Sequence, residues 1–518
     1  MRSNTRSRGD LDKILADGIH MSWRQFQLLL VALMSVMLLS ALDHTIVVTA
    51  LPIITDDLGG EYALAWVVTA YMLASALAAL WFGQLVDVFG VRPCLITGVL
   101  IFTVASALCG LAQDMTQLVI LRAFQGIGAG AIMTLCKTVI ALLVRPRERG
   151  RYQSYIMTVF AGASLAGPIV GGSIADHLSW RIIFLVNLPV GLLALYMIRR
   201  SLQHIPAHAR GRDSTTSAIL LSIAAFAFLF SVSQYGEAGI DLRIPTVTLV
   251  ISLLLVAAFL AWERRTPRPI FRSPILRSRL FITANMAAVL HSLSMMGAVI
   301  LLPLYFQRIR GHGAAETGMM MLPQVGGWLI ATLLCGLLMS WTGRVKAWCV
   351  LGMSLTMVGL AGLSTLDSAT AYGFTAVYLV VFGVGQGLAS QSLIVAIQAR
   401  AESHEMGKAT GFTAFARQVG SLLGVALSGV CLNILIASGR DLTTAFSFTM
   451  AAAVPVSAIG ILVAVMMPRL RLGHERDART GATNDAADST DVPPHTLGTE
   501  QSPHGYEAAQ VNDVTSRT

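Results

Sequence analysis

Apolar runs long enough to cross a lipid bilayer recur through most of this 518-residue chain and leave few other folds open to it. A helix rises about 1.5 Å per residue and the hydrocarbon core is about 30 Å thick, so about 20 apolar residues make one crossing. Fourteen runs of 17 to 29 residues lie between Leu28 and Met467, most of them too long for core helices of a water-soluble fold. With 55% hydrophobic and 13% charged residues, the chain carries about half the charge density of an ordinary soluble domain. The expected fold is an all-α polytopic membrane protein. The first run follows 27 mostly polar residues and lacks a small-residue cleavage site, so it reads as a retained span and not as a signal peptide.

The net charge of +9 raises the question of a polynucleotide partner, and its distribution answers it. Of 37 Lys and Arg residues, 19 fall in loops on the side of the two tails, 5 in opposite loops and 3 in spans. Arg145, Arg147, Arg149 and Arg151 form one such tail-side cluster, while the opposite loop after the first run carries Asp56, Asp57 and Glu61. This is the positive-inside pattern of a multi-pass protein in the cytoplasmic membrane with both termini in the cytoplasm. The basic charge reports topology, and no nucleic acid is expected. Six cysteines without CxxC spacing predict neither a structural disulfide nor a metal site. From about Gly473 the chain turns polar and is expected to be disordered.

An internal repeat organises the runs. GQLVDVFGVR from Gly83 and GLLMSWTGRV from Gly336 place their paired glycines at the same offset, 253 residues. Gly126, Gly128 and Gly130 match Gly383, Gly385 and Gly387 at an offset of 257. The expected division is a cytoplasmic tail (1–27), a six-helix half (28–200), two inserted helices (201–265), a second six-helix half (266–468) and a disordered tail (469–518). Halves of this kind build rocking transporters, with the substrate site near the midplane between them. Close helix packing is the plainer reading of any one glycine motif.

An ionisable group in hydrocarbon costs at least about 2.5 kcal/mol on insertion scales and needs a partner, a wet cavity or a route to the interface. Asp43 lies 15 residues into the first run, about 22 Å from its cytoplasmic edge and beyond the reach of so short a side chain. It reads as a proton-binding coupling carboxylate, or as one permanently paired with a neighbouring helix. Arg122 and Gln125 share a helical face and can point into one cavity. Arg122 could hold a carboxylate ionised until protonation releases it, or snorkel to the outer interface. Lys137, on the same helix, is expected to snorkel to the cytoplasmic side. His291 reads as a hydrogen-bonded structural histidine or a relay.

In GASLAGPIVGG from Gly162, the residues Ala163, Gly167 and Gly171 make a stripe for close helix approach, with Gly172 beside it, and Pro168 should bend the span. Gly83, Asp87, Gly90 and Arg92 form a short cytoplasmic connection. Its Asp87 can cap the next helix or pair with the other half as a latch. Ser340 occupies the repeat position, so such a latch is asymmetric.

Together these segments resemble the major facilitator superfamily, in its fourteen-span drug:proton antiporter branch. The likeness is carried by LDHTIVVTALP (Leu42 to Pro52), the loop signature at Gly83, Leu85, Asp87, Gly90 and Arg92, RAFQGIGAG (Arg122 to Gly130) and GASLAGPIVGG. WRIIFLVNLPVG (Trp180 to Gly191) and WERRTPRPIF (Trp262 to Phe271) extend it. The resemblance implies proton coupling at Asp43 and Arg122, a latch at Asp87 and an antiporter bend at Pro168. Val88 and Val91 stand where the loop signature usually has basic residues, which puts a full charge relay in doubt.

The expected function is proton-coupled export of amphipathic or hydrophobic small molecules, drugs and antibiotics among them, by alternating access and as a monomer. The proton gradient supplies the energy and no cofactor is needed. Gln125, His291, Met295, Met296, Trp328, Phe382, Gln391 and Phe415 are the expected cavity residues, since adaptable Met and aromatic surfaces suit varied ligands. A dedicated exporter of one natural product and a proton symporter remain alternatives. A receptor or scaffold would need a signalling domain, which the tails do not supply. No P-loop, metal cluster or nucleophile arrangement points to an enzyme.

Overall fold

Helix starts in this chain are set by side chains that satisfy the first free backbone amides. Ser22 caps one helix with a reciprocal contact to Gln25, and Asp114, Ser278 and Asp441 accept from the amides of Gln117, Phe281 and Thr444. In the computed structural model the described residues are 15–16, 21–59, 64–177, 179–202, 215–235, 243–266, 275–402 and 405–470. The expected disordered tail beyond Leu470 and residues 267–271 of WERRTPRPIF lie outside them, as does Glu61.

The first half comprises α1 (Trp23–Leu58), α2 (Leu64–Phe89), α3 (Val91–Cys109), α4 (Met115–Leu143), α5 (Pro146–His177), the short α6 (Arg181–Leu185) and α7 (Asn187–Ser201). Then come α8 (Thr215–Tyr235) and α9 (Arg243–Arg265). The second half comprises α10 (Arg279–Leu304, running into a π turn at Tyr305–Ile309), the short α11 (Ala314–Met320), α12 (Leu322–Thr342), α13 (Val345–Leu363), α14 (Tyr372–Arg400), α15 (Met406–Ala437) and α16 (Leu442–Met466). Among the described residues, twelve helices are long and apolar enough to cross a membrane. The two other expected runs, Tyr152 to Ala175 and Ser217 to Tyr235, fall within α5 and α8.

The repeat read from the sequence has a geometric counterpart. Gly90 and Gly343 end corresponding helices with positive φ, 86° and 64°, a backbone region in which a side chain is strained. α4 is wedged between α2 and α3, with Gly126 and Gly130 against Tyr71 and Ser75 and Gly128 against Phe102. α14 is wedged in the same way, Gly383 and Gly387 against α12 and Gly385 against Gly352 and Thr356 of α13. A Cβ on Gly128 would lie 2.6 Å from the Cα of Phe102, and one on Gly385 would lie 2.8 Å from the carbonyl of Gly352. The glycine motifs are therefore packing surfaces in both halves.

Each half has its own apolar cores, one set built between Leu15 and Leu202 and the other between Ile275 and Leu470. The two inserted helices are central in the chain but peripheral in space. α8 and α9 bind each other through Ser231 to the Pro245 carbonyl (2.6 Å) and Ser252 to the Ala224 carbonyl (3.0 Å). Leu229 and Val232 of α8 then rest on Leu73, Ala76, Leu422 and Ala426, where α2 meets α15. Leu253 and Leu254 of α9 are exposed, as lipid-facing residues would be.

The first and last described residues of the bundle lie on one face of it. Leu15 pairs with Val144 at the end of α4, and Lys346 at the start of α13 donates to the carbonyl of Val465 near the end of α16. This surface is called the tail face below.

Candidate functional site

Five helices bring polar groups together at one buried point of the first half. Asp43 on α1 accepts from Arg122 of α4 at 2.6 Å and from the Gln125 amide at 2.7 Å. Arg122 also donates to Gln125 at 2.7 Å, as their i, i+3 spacing on α4 allows. Asn187 at the start of α7 reaches the same Asp43 oxygen at 3.4 Å and donates to Ser106 of α3 at 2.9 Å. The Arg122 guanidinium lies 4.1 Å from the centre of the Tyr71 ring, and the Tyr71 hydroxyl donates to the Ser40 carbonyl.

Asp43 and Arg122 are 2% and 1% exposed, so the pair is closed off from solvent on every side. Burying two charges is costly, and removing one partner of such a pair costs about 3–5 kcal/mol because the other is left uncompensated. A proton delivered to Asp43 does to the pair what a mutation would do, and it is reversible. It cancels the carboxylate charge and leaves Arg122 to find a new partner. The Arg122 Nε is already without a hydrogen bond among the described residues.

Helix α5 touches this cluster through α1. A Cβ on Gly167 would lie 2.7 Å from the Cβ of Thr45, two residues beyond Asp43, so the small-residue stripe packs α5 against the carboxylate's own helix. Ala163 is buried on the same stripe. Pro168, Gly171 and Gly172 lie within the continuous helix Pro146–His177; their side-chain surroundings are outside the described residues. Gly162 is exposed, with nothing within 4 Å of an added Cβ.

At the tail face the halves meet in two matched glycine contacts. Gly83 of α2 packs on Gly407 and Gly411 of α15, and its repeat counterpart Gly336 of α12 packs on Gly150 of α5. Asp87 accepts from the backbone amides of Gly407 and Lys408 at 3.3 Å each, capping the start of α15. It caps a helix of the opposite half and not the helix that follows it. Arg149 donates to the Gln398 carbonyl at 2.5 Å, Gln153 binds the Gln398 side chain, Gln391 donates to the Gly150 carbonyl at 3.0 Å, and Arg147 donates to the Ser340 carbonyl at 2.9 Å. The passage between the halves is closed at this face. Arg92 plays no part in that closure and donates instead to the Arg199 carbonyl within its own half.

At the opposite face Asp57, at the end of α1, accepts from Arg181 (2.7 Å) and from the Trp180 indole (2.9 Å). These hydrogen bonds, the Arg181 one first, hold the Asp57 carboxyl below the ordinary carboxylate range. A pKa depressed by folding stabilises the fold above the unfolded value and loses that contribution as pH falls through the folded value. Wild type should therefore melt a little higher than Asp57→Asn at neutral pH, and the difference should begin to shrink near about pH 4 and disappear as pH falls further through the folded value. Melting curves across pH check this, and a constant difference down to the acid end would refute it.

Residues 33–425 match the profile of the Major Facilitator Superfamily. The chain belongs to that superfamily. It is 33% identical over 416 residues to the multidrug transporter protein MdtP of Bacillus subtilis (strain 168), covering 78% of this chain and 75% of that one. It is 30% identical to multidrug resistance protein 3 of the same bacterium, covering 76% and 77%. It is also 32% identical to the efflux pump FUS6 of Gibberella fujikuroi, covering 79% and 75%. Among solved structures, the proton:xylose symporter XylE superposes with a TM-score of 0.60 at 15% identity over 86% of this chain and 97% of XylE. The human organic anion transporter MFSD10 superposes with a TM-score of 0.62 at 14% identity over 85% and 99%. Both likenesses are of fold. This superfamily member is a multi-pass membrane transporter of small molecules and not an enzyme.

The remaining sequence candidates of this superfamily member are dispersed. Trp328 stacks edge-on against Phe160 across the halves, with ring centres 6.2 Å apart. Met296 is half-buried, and Met295 packs on the outer core of the second half. Phe415 packs where α2, α8 and α15 meet. Phe382 is fully buried in the core of the second half, against Gly359. It stands 257 residues after Gln125, so the second half fills with an aromatic ring the place where the first has its amide. Gln391 belongs to the tail-face closure. His291 is 2% exposed, with its ring nitrogen 3.5 Å from the Ser390 hydroxyl. Arg122 does not snorkel, because Asp43 holds it inside. Lys137 does not reach the tail face either: it lines an internal cavity beside Gln398 and Arg417.

The motif reading passed over Asn187, Tyr71 and Ser106, which complete the buried cluster. Asn187 had a signal, being the one amide in the apolar stretch Ile182 to Ile198. Gly150, Gly407 and Gly411 had none, since their partners are distant in sequence.

Proposed function

We propose that this chain is a proton-coupled antiporter that exports amphipathic small molecules from the cytoplasm by alternating access. One observation carries the reading: a solvent-excluded carboxylate, Asp43, whose partners Arg122, Gln125 and Asn187 come from two other helices of the same half. The chain crosses the cytoplasmic membrane fourteen times with its tail face in the cytoplasm, its two six-helix halves rock as units, and it works as a monomer. With the tail-face passage closed, Asp43 is ionised and paired. A proton arriving from the outer side discharges Asp43, frees Arg122 and loosens α1 from α4 and α7. That favours reopening toward the cytoplasm. Cargo bound from the cytoplasm restores the pair, expels the proton inward and drives closure. The homology to proteins named for multidrug transport and efflux supports the direction of transport.

The energetics are adequate. One proton moving down about 100 mV releases about 2.3 kcal/mol, which sustains roughly a 50-fold gradient of neutral cargo. The test uses energised inverted vesicles containing the protein and a lumenal pH dye. Adding amphipathic cargo outside should release protons from the acidified lumen and raise its pH in step with cargo uptake. Cargo flux that is unchanged when the proton gradient is collapsed would reject the proposal.

A further inference from the structure

Few ionisable residues sit in the middle of the helices, and they do not balance. Among the described residues Asp43, Arg122, Lys137, His291 and Arg417 are the ones well inside the spans, so one acid faces three basic side chains besides the histidine. Asp43 and Arg122 cancel each other in the first half. Lys137 and Arg417 are left over, and the fold places them together.

Lys137 comes from α4 of the first half and Arg417 from α15 of the second, and both line one small cavity between the halves. The rest of its wall is Ile394, Ile397, Gln398, Thr410, Thr413 and Ala414. The cavity volume is about 10 Å³, the size of a single water site. It lies on the inner side of the tail-face closure, because Gln398 is shared by both: its side chain donates to Thr410 at 3.1 Å while its carbonyl receives Arg149. Among the described residues no carboxylate lines the cavity, and two of its wall oxygens already accept a hydrogen bond: Gln398 from Gln153 and Thr410 from Gln398. Among the described residues neither Lys137 nor Arg417 makes a hydrogen bond or an ion pair. His291 of α10, buried beside Ser390 of α14, is a further titratable group inside the second half, and neither is an anion.

Two like charges brought face to face in a low-dielectric seam oppose the closure that brings them together. A protein that needs that closure needs something between them. We propose that Lys137 and Arg417 are the two jaws of a split anion site for the acidic end of the cargo, one jaw on each half. This rests on the export reading above and narrows it to amphipaths carrying a carboxylate or a comparable oxyanion. Arg417 offers a planar fork of donors and Lys137 a point charge, a combination suited to an oxyanion. The hydrophobic body of the cargo lies on the apolar wall, Ile394, Ile397 and Ala414. When the empty carrier closes, the cations repel and the tail face reopens; with an acid between them they attract it from both sides and hold the halves shut. The cavity described here is that of the empty closed state, and it widens to admit the oxyanion.

The test compares dansyl-leucine, an amphipathic acid, with dansyl-leucinamide, its neutral counterpart. Binding to the purified full-length protein is read by tryptophan-to-dansyl energy transfer. Wild type should bind the acid at least about tenfold more tightly than the amide, a difference of about 1.4 kcal/mol. Lys137→Gln and Arg417→Gln should each lower that ratio to near unity, mainly by weakening the acid, while Lys137→Arg and Arg417→Lys retain it. The wild-type ratio needs no variant to fold, and the charge-conserving pair controls for folding. Equal binding of acid and amide by wild type, or no binding of the acid at millimolar concentration, overturns the split site. So does a preference that survives both glutamine variants. Selective acid binding without uphill transport in energised vesicles would leave the site standing and remove the export reading.

Discussion

Replacing Asp43 with asparagine is expected to abolish uphill transport, lowering proton-driven accumulation about tenfold or more while leaving passive exchange of cargo in place. The side chain keeps its shape and much of its hydrogen bonding, since an amide oxygen can still accept from Gln125 or Asn187. It loses the charge that makes Arg122 a partner. Arg122 is then a buried guanidinium facing neutral groups, and breaking such a pair costs about 3–5 kcal/mol. Asp43→Asn should therefore also melt at a lower temperature than wild type. The double variant Asp43→Asn with Arg122→Gln removes both charges and should recover most of that stability. It should recover none of the proton coupling. Proton release on cargo addition, measured beside thermal stability for all three proteins, separates a coupling carboxylate from a structural one. Full uphill transport by either variant would exclude Asp43 from the mechanism.

A valine at Gly83 should jam the tail-face closure. A Cβ there would lie 2.7 Å from the Gly407 carbonyl oxygen and 2.8 Å from the Gly411 Cα, both backbone atoms that no rotamer change can move aside. Overpacking of this kind costs about 1–3 kcal/mol and often more, which shifts a conformational equilibrium roughly 5- to 150-fold. The clash exists only when the halves are together, so the cost falls on the closed state and the open state gains. Gly336→Val should act in the same direction, because its Cβ would lie 2.5 Å from the Gly150 carbonyl. Gly162→Val, in open space, should change little. Spin labels on the tail-face ends of α3 and α13 report the outcome: both jammed variants should show a longer distance population than wild type. Unchanged distances and unchanged transport would mean that these glycines are passive packing.

The fold class was legible in the sequence because it depends on periodic features. Long apolar runs admit few structures in a membrane, and Gly90 and Gly343 mark equivalent turns by the backbone angles they adopt. Asp43 and Arg122 stood out because each is an ionisable group too deep to be ordinary. Their mutual contact did not follow, since nothing in residue types alone aligns α1 with α4. The cavity candidates fared unevenly for a related reason. Met, Phe and Trp serve as core, lipid surface and cavity wall alike, and Phe382 turned out to be core. Arg417 met the same depth criterion as Asp43 but lay outside every motif.

What the sequence determined by itself is what short-range chemistry and hydropathy impose: helices that span, basic loops on one side, glycines at turns and close contacts, and a handful of charges that hydrocarbon does not tolerate alone. What the tertiary structure decided is which of those charges share a pocket. Asp43 was given Arg122, which cancels it, while Lys137 was set opposite Arg417, which repels it. The reason is that a buried charge takes its meaning from neighbours within a few ångströms, and in a bundle whose halves are related by a repeat of about 250 residues those neighbours come from helices that are remote in the chain.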